Sequence, residues 1–453
     1  MIRGCRETAF NFLYGFIDLC RYDFIRKVMA GMKEVKWQVV CGVVCILWIC
    51  LQIYLVVKYW DMPNHDDAYF YVKYASDCMT ASTWYPALHN QYDLFVFGPG
   101  YVNLLIVVHS LFGSFSFVRL LNLILNIALV GEIWLLAKQL FGKTTAYWAA
   151  LLYMLVYSNW YMPIALLTDL PFTFLGVTAL LLAAKRKMYA VVLAGVLLAL
   201  ANWFRPLAFV FLLVVLVCFV VQKRGWKQYA ALLLPLVLTV FLIGQASKVR
   251  TGNFVYQAVS GGFNLAMSCF DEANGLVNFS GFDDPDNYVC LPPGDYTYME
   301  RDRLLKEASF RWIRENPLQY VAQIPVKLFA LYCEDTWTER VKPDMGFRVV
   351  LSEVRGDKWK MAELAAILAL KSVVYYFILF FFCYYIWTMR GDWFNRRNIY
   401  LLLPLLGTAA TVLFVITSRY HYPYLFAITI YAAAGWDVFM RKRQEMSRRV
   451  HRQ

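Results

Sequence analysis

Residues 37–69 read WQVVCGVVCILWICLQIYLVVKYWDMPNHDDAY, a long apolar run followed by an acidic pair. A helix needs about 20 apolar residues to cross the hydrocarbon core of a bilayer, and residues 37–57 supply such a run. Asp66 and Asp67 follow it. Two carboxylates beside a membrane are costly unless they meet water, a metal ion or a substrate. The stretch therefore predicts a membrane span followed by a functional outer loop.

The composition extends this prediction to the whole chain. Of its 453 residues, 60% are hydrophobic and 18% aromatic, whereas soluble domains are about 45–50% apolar. The formal net charge of +13 comes from basic clusters between apolar runs, where such residues set membrane topology and contact anionic lipid. The sequence therefore predicts an all-α polytopic membrane protein and gives no reason to expect nucleic acid as a partner.

The positive-inside rule orders the apolar runs. With each basic cluster between short loops placed in the cytoplasm, the chain makes about ten spans with both termini cytoplasmic. Residues 101–112 are too short to span and are expected to lie at the outer face. The predicted regions are an interfacial amphipathic N-terminus (1–36), a transmembrane module (37–247) with a first outer loop (58–117), an extracytoplasmic cap with interfacial helices (248–362), C-terminal transmembrane helices (363–440) and a basic cytoplasmic tail (441–453).

Under this topology the unusual polar residues gather at the outer face. They are Asp66, Asp67, Asp169, Arg205, Arg419 and His421. A carboxylate can act as a general base toward an acceptor hydroxyl or amine, and arginine can hold a phosphate through two parallel hydrogen bonds. Carboxylates and guanidinium groups at a lipid–water boundary therefore suit a substrate that is both phosphorylated and lipid-linked.

Each of these residues also has a structural interpretation, which the sequence leaves open. Asp66 and Asp67 could be solvated or could cap the helix that follows. Asp169 could be an N-cap ahead of Pro171, and Arg205 and Arg419 could extend to lipid headgroups. His421 could be structural. A disulfide between Cys269 and Cys290, both in the predicted cap, is also left open.

Taken in order, several segments resemble the GT-C glycosyltransferases, in particular the group of protein O-mannosyltransferases and the lipid A aminoarabinose transferase. The segments are HDDAYFYVKYA (65–75), FGPGYVNLLIVVHSLFG (97–113), LFGKTTAYWAALLYML (140–155), LLTDLPFTFL (166–175), ANWFRPLA (201–208), GGFNLAM (261–267), RDRLLKEASFRWIRENP (301–317) and RYHYPYLFAI (419–428). Gly98-Pro99-Gly100 departs from the Pro-Pro or His-Pro that usually precedes the short outer helix.

The resemblance implies a GT-C fold, an outer-face active site and a sugar donor linked to polyprenyl phosphate. Asp66 matches the catalytic base, with Asp67 where many relatives have Glu, and Asp169 matches the second acidic position. The residues implied for the donor phosphate are Arg205 and Arg419, with His421 and Lys327 as weaker candidates. Some relatives hold a divalent metal at the outer-face acids, which here would be Asp66 and Asp169. No ligand set in the sequence decides this.

The sequence thus predicts a membrane glycosyltransferase with an inverting mechanism, set in a bacterial inner membrane with its site facing the periplasm. The acceptor could be lipid A, a surface glycan, a lipid-linked glycan or a protein. A polysaccharide polymerase or ligase would use the same donor. A transporter or flippase of lipid-linked glycans would instead place charges within spans, where Glu132 is the main one.

Overall fold

The computed structural model describes residues 37–90, 92, 96–335, 356–389 and 391–450. The predicted amphipathic N-terminus and residues 336–355 of the predicted cap lie outside these ranges. Within them the chain is helical, without strands, and its β-bridges are isolated, joining Val96 to Val259 and Leu276 to Ile416. The chain divides into two compact units, residues 1–51 and 52–453, and the candidate site lies in the second.

The helices follow the apolar runs of the sequence closely. The α-helices of the described residues are α1 (Trp37–Lys58), α2 (Asp67–Thr80), α3 (Pro99–Phe112), α4 (Phe117–Phe141), α5 (Lys143–Leu155), α6 (Tyr157–Tyr161), α7 (Asp169–Ala184), α8 (Met188–Phe204), α9 (Ala208–Val221), α10 (Trp226–Thr251), α11 (Gly261–Ala266), α12 (Tyr298–Glu315), α13 (Pro317–Ala322), α14 (Ile324–Tyr332), α15 (Lys358–Lys371), α16 (Val373–Met389), α17 (Leu402–Thr411) and α18 (Tyr422–Val450). Short 3₁₀ turns lie at Leu88–Asn90, Ser280–Phe282, Ile399–Leu401 and Ser418–His421.

The predicted ten spans are not shown. Four helical stretches of the described residues are long and apolar enough to cross a membrane: Val39–Lys58, Phe117–Phe141, Trp226–Thr251 and Ser418–Met446. The pair α15 and α16, bent by 55°, would make a fifth. The other apolar helices have 10–17 residues, and at about 1.5 Å per residue they are shorter than a hydrocarbon core of about 30 Å. Several long apolar helices nevertheless make this a multi-pass membrane protein.

Close packing of α7 and α10 on α8, and of α16 on α18, builds the helical body. Helix α2 joins it through one face, because Ala68, Tyr71, Ala75 and Cys78 recur at helical spacing and are all buried. The ring of Tyr71 contacts the rings of Phe97 and Tyr101, at centroid distances of 4.9 and 5.0 Å. These contacts fix the helix that begins at the acidic pair.

The motif Gly98-Pro99-Gly100 has a steric explanation in this structure. It lies against the last turn of α8, immediately before Arg205. A Cβ atom added to Gly98 would overlap the carbonyl oxygen of Phe204, and one added to Gly100 would lie 2.9 Å from the carbonyl carbon of Trp203. The short helix α3 can approach α8 this closely only because both positions lack a side chain.

We therefore expect Gly98→Ala to lower the free energy of unfolding by about 1–3 kcal/mol, the usual cost of overpacking. Thermal unfolding of the purified protein in detergent measures this loss. Gly131→Ala is the control, because a Cβ at that helical position meets open space. Equal stability of the two variants would contradict the close approach.

Candidate functional site

Asp66 stands at the start of α2 in a strained backbone conformation. Its φ of 51° and ψ of −128° lie in a region that residues with a side chain rarely adopt. Its side chain makes no capping hydrogen bond to the helix, so the capping interpretation does not account for this residue. Strain of this kind costs on the order of 1–3 kcal/mol, persists only where the surroundings enforce it, and clusters at functional sites.

Asp169 is the first residue of α7, and its side chain is fully buried. Its Oδ1 atom accepts a hydrogen bond from Nη1 of Arg205, the residue that follows α8. The N-cap position of α7 belongs to Thr168. Neither the capping interpretation of Asp169 nor the headgroup interpretation of Arg205 therefore describes the observed contacts.

Arg419 links this buried pair to the start of α2. It lies in the turn Ser418–His421 directly before α18, with 5% of its side chain exposed. Its Nη2 atom donates to Oδ2 of Asp67 at 2.6 Å, and its Nε atom lies 3.5 Å from Oδ2 of Asp169. Asp67, Arg419, Asp169 and Arg205 thus form one connected series of ion pairs, here called the Asp–Arg chain.

Two tyrosines border the Asp–Arg chain. The ring of Tyr420 lies 5.5 Å from the guanidinium carbon of Arg205 and 5.8 Å from that of Arg419, a distance at which a ring face attracts a cation. Burial raises the pKa of the Tyr71 phenol, and the negative charge of Asp67 raises it further. Tyr71 therefore presents a neutral hydroxyl beside the chain of charges.

A cleft opens beside the acidic pair. It is lined by Met62, Pro63, Asn64, His65, Asp66, Asp67, Ala68, Tyr161, Ala165, Leu166, Leu167 and Arg419. One wall is the polar loop that carries the two carboxylates, and the other is the apolar segment that leads to α7. A site with carboxylates, a guanidinium group and an apolar wall fits a ligand with both charged and hydrocarbon parts.

The residues implied for a divalent metal do not fit one. Within the described ranges, no group of three or more His, Cys, Asp and Glu side chains could hold a metal ion. Both oxygens of Asp169 face guanidinium groups, those of Arg205 and Arg419. A cation would have to displace these arginines to reach that carboxylate.

The side chain of His421, two residues after Arg419, makes its contacts away from the Asp–Arg chain. Its Nδ1 atom lies 2.9 Å from the carbonyl oxygen of Leu331, and its Nε2 atom lies 3.0 Å from Oδ1 of Asp335. Its ring stacks on Tyr375 at 4.9 Å. Its two nitrogen atoms therefore contact the last turn of α14 and the segment that follows it, and a role at the donor phosphate stays a prediction.

Lys327, in α14, is likewise engaged away from the Asp–Arg chain. It is fully buried, and its Nζ atom has no hydrogen-bond partner among the described residues. The ammonium lies 4.9 Å from the ring centre of Tyr320. Burial lowers the pKa of Lys327 to about 8. Cys269 is nearby, and neither it nor Cys290 forms a disulfide.

Sequence reasoning missed two residues near the site, Arg119 and Asp335. Arg119 lies in the first turn of α4, at the predicted outer end of an inward span, where the positive-inside rule does not place a cation. With Asn122 and Asn126 it forms a polar stripe at helical spacing along an apolar helix. That stripe is the signal that could have found Arg119. Asp335 stands in an irregular segment with no such pattern.

No protein-family model matches the sequence, and no curated protein is significantly similar to it. Among solved structures, the oligosaccharyltransferase AglB of Archaeoglobus fulgidus, in complex with an inhibitory peptide and a dolichol-phosphate, is similar with a TM-score of 0.44 and 14% identity, over 93% of this chain and 52% of that one. Its apo form gives a TM-score of 0.45 and 14% identity, over 91% of this chain and 52% of that one.

ArnT from Cupriavidus metallidurans bound to undecaprenyl phosphate is similar with a TM-score of 0.38 and 13% identity, over 86% of this chain and 77% of that one. AglB and ArnT are GT-C membrane glycosyltransferases, the group that the sequence motifs resemble. The chain spans about half the length of the archaeal enzyme.

The buried amine of Lys327 predicts a pH-dependent stability. The folded protein binds this proton less tightly than the unfolded chain, because the pKa falls from its ordinary value of 10.5 to about 8. The resulting penalty is absent above pH 10.5, grows as the pH falls to 8, and is constant below. We therefore expect Lys327→Met to raise the Tm at pH 7, with a gain that shrinks between pH 8 and 10.

Thermal unfolding of both proteins across that pH range measures the gain. Lys360→Met is the control, since Lys360 is exposed on α15. A gain for Lys327→Met that does not change with pH would contradict a buried, unpaired amine.

Proposed function

We propose that the chain is a membrane glycosyltransferase that moves a sugar from a polyprenyl-phosphate-linked donor to an acceptor at the extracytoplasmic face. The observation that supports it most is the joining of Asp67, Arg419, Asp169 and Arg205 by ion pairs beside the cleft that Asp66 lines. These side chains come from four distant parts of the sequence. A general base and a phosphate site are the two groups that such a transfer needs.

In the proposed reaction, an acceptor hydroxyl or amine attacks the anomeric carbon of the donor sugar. Asp66 takes the proton of the attacking group as the new bond forms. The bond between the anomeric carbon and the phosphate oxygen breaks on the opposite face, so the configuration inverts. The polyprenyl phosphate departs with the bonding electrons, and no nucleotide is required.

Asp66 is favoured over Asp67 as the base because its backbone is strained and its position matches the base of the family that the sequence resembles. Oδ2 of Asp67 accepts a hydrogen bond from Arg419, so this carboxylate is committed to holding the guanidinium group. Asp66 lines the cleft at the start of α2. Its strained backbone is consistent with a side chain that is held in a functional orientation.

The arginines are proposed to bind the leaving phosphate. Among the described residues, Arg205 donates one hydrogen bond, through Nη1, and a guanidinium group has five N–H donors. The remaining donors of Arg205 could hold two phosphate oxygens at once. Asp169 would keep both arginines in place while the phosphate charge develops. His421 and Lys327 are left out of this role because their contacts lie elsewhere.

The proposed setting is a bacterial inner membrane, with the cleft on the periplasmic side and both termini in the cytoplasm. The shorter apolar helices would complete about ten spans by packing against the long ones. The acceptor would be lipid A, a surface glycan, a lipid-linked glycan or a protein. A polymerase or ligase of polysaccharide falls within the same proposal, because it would use the same donor and the same base.

The test is release of polyprenyl phosphate. Purified protein is incubated with a panel of polyprenyl-phosphate sugars and acceptors, and mass spectrometry follows the free carrier. We expect Asp66→Asn to lower the release rate by about 10²–10⁴-fold, the usual contribution of a general base, while the variant still binds the donor. Asp77→Asn is the matched control, since Asp77 is a half-exposed carboxylate on the same helix that pairs with Lys73.

Two other outcomes would count against the proposal. Unchanged release in Asp66→Asn would move the base to Asp67 or Asp169. Transport of intact lipid-linked sugar across vesicles, without release from any donor, would instead identify a flippase.

A further inference from the structure

Arg119 makes a dense set of hydrogen bonds beside the cleft. It is 2% exposed, and its Nε atom donates to the carbonyl oxygen of Ile164 at 3.0 Å. Nη1 donates to the carbonyl oxygen of Trp60 at 2.7 Å, and Nη2 to that of Met62 at 2.8 Å. Longer contacts reach Oγ of Ser116 at 3.3 Å and Oδ1 of Asn64 at 3.4 Å. One side chain thus supplies five hydrogen bonds, as many as its N–H groups allow.

These bonds join the two walls of the cleft. Trp60, Met62 and Asn64 belong to the loop that leads to Asp66, whereas Ile164 belongs to the segment that forms the opposite wall. Helix α4 strengthens the second wall through Asn122, whose Nδ2 atom donates to the carbonyl oxygen of Ala165 at 3.0 Å. Two side chains of α4, Arg119 and Asn122, therefore fix the width of the cleft.

The loop that Arg119 holds ends two residues before the strained backbone of Asp66. A strained conformation persists only where neighbouring contacts over-determine it. Three of the five bonds of Arg119 fix residues 60–64, directly ahead of that strain. The phosphate-binding arginines of the proposed function have separate anchors in Asp67 and Asp169.

We propose that Arg119 is a positioning residue for the proposed transfer: it holds Asp66 and the opposite wall of the cleft at the reacting distance, without contacting the donor phosphate. This inference rests on the proposed function. Lysine cannot replace it, because an ammonium on a flexible stem lacks the planar fork that reaches three carbonyl groups at once. A displacement of about 1 Å at a reacting group can lower a rate by about 10²-fold.

The test compares Arg119→Lys with wild type in three measurements. We expect kcat for release of polyprenyl phosphate to fall by about 10–100-fold, while binding of undecaprenyl phosphate in nanodiscs changes less than about threefold. We expect faster hydrogen–deuterium exchange in residues 60–66 and 164–168. In Arg119→Ala, added guanidinium ion should restore part of kcat, which a loss of general stability would not permit.

Arg224→Lys is the matched control. Arg224 is also buried and also donates to backbone carbonyl groups, those of Ala183, Ala184 and Lys185, at the predicted cytoplasmic end of α7. We expect it to leave kcat and exchange at the cleft unchanged. If Arg119→Lys does not fold, Ser116→Ala removes one contact of the guanidinium group and should lower kcat several-fold.

Two results would overturn the inference. The first is a fall in kcat no larger than in Arg224→Lys. The second is a parallel loss of undecaprenyl phosphate binding and kcat, which would make Arg119 a donor-binding residue. If the wild-type protein releases no carrier, the proposed function fails on its own. Exchange at residues 60–66 and 164–168 would still decide whether Arg119 anchors both walls.

Discussion

A fully buried carboxylate, Asp169, is the constraint on which the site depends. An ion taken out of water loses several kcal/mol of solvation, and only well-placed partners recover it. Here the partners are two arginines, one after α8 and one before α18. Because Asp169 starts α7, three helices must meet at one point for the charge to be compensated. The same requirement places Arg419 within reach of Asp67 and so links the start of α2 to the last long helix.

Hydrogen bonds help to hold the helices around Asp169 in one arrangement. Lipid tails are as apolar as leucine, so contact between membrane helices depends on close packing and on polar groups that bond across them. The side chains of Arg119 and Asn122 bond to backbone carbonyl groups of the opposite wall, and Gly98 and Gly100 let α3 approach α8. These hydrogen bonds and close contacts fix the walls of the cleft. Without them, the strained backbone of Asp66 would relax.

The sequence predicted the helical class, and it drew attention to charges beside apolar runs because such charges have few stable positions. Asp67, Asp169, Arg205 and Arg419 were expected on one face, and ion pairs join them, while their roles in a reaction stay predictions. The contacts of His421 and Lys327 were not predictable, since they depend on Asp335 and on the burial of α14, which follow no periodic pattern. The prediction of about ten spans is not shown, because an apolar run does not fix the length of its helix, and several of these helices end after 10–17 residues.

The contacts of His421 determine the net charge of its pair with Asp335. Because a carbonyl oxygen only accepts, Nδ1 of His421 must carry a proton to bond Leu331, and its Nε2 atom then shares a single proton with Asp335. Wherever that proton rests, on the imidazole or on the carboxylate, the pair sums to zero charge. The turn that carries Arg419 is thus held to Asp335 by a hydrogen-bonded pair that adds no net charge next to the Asp–Arg chain.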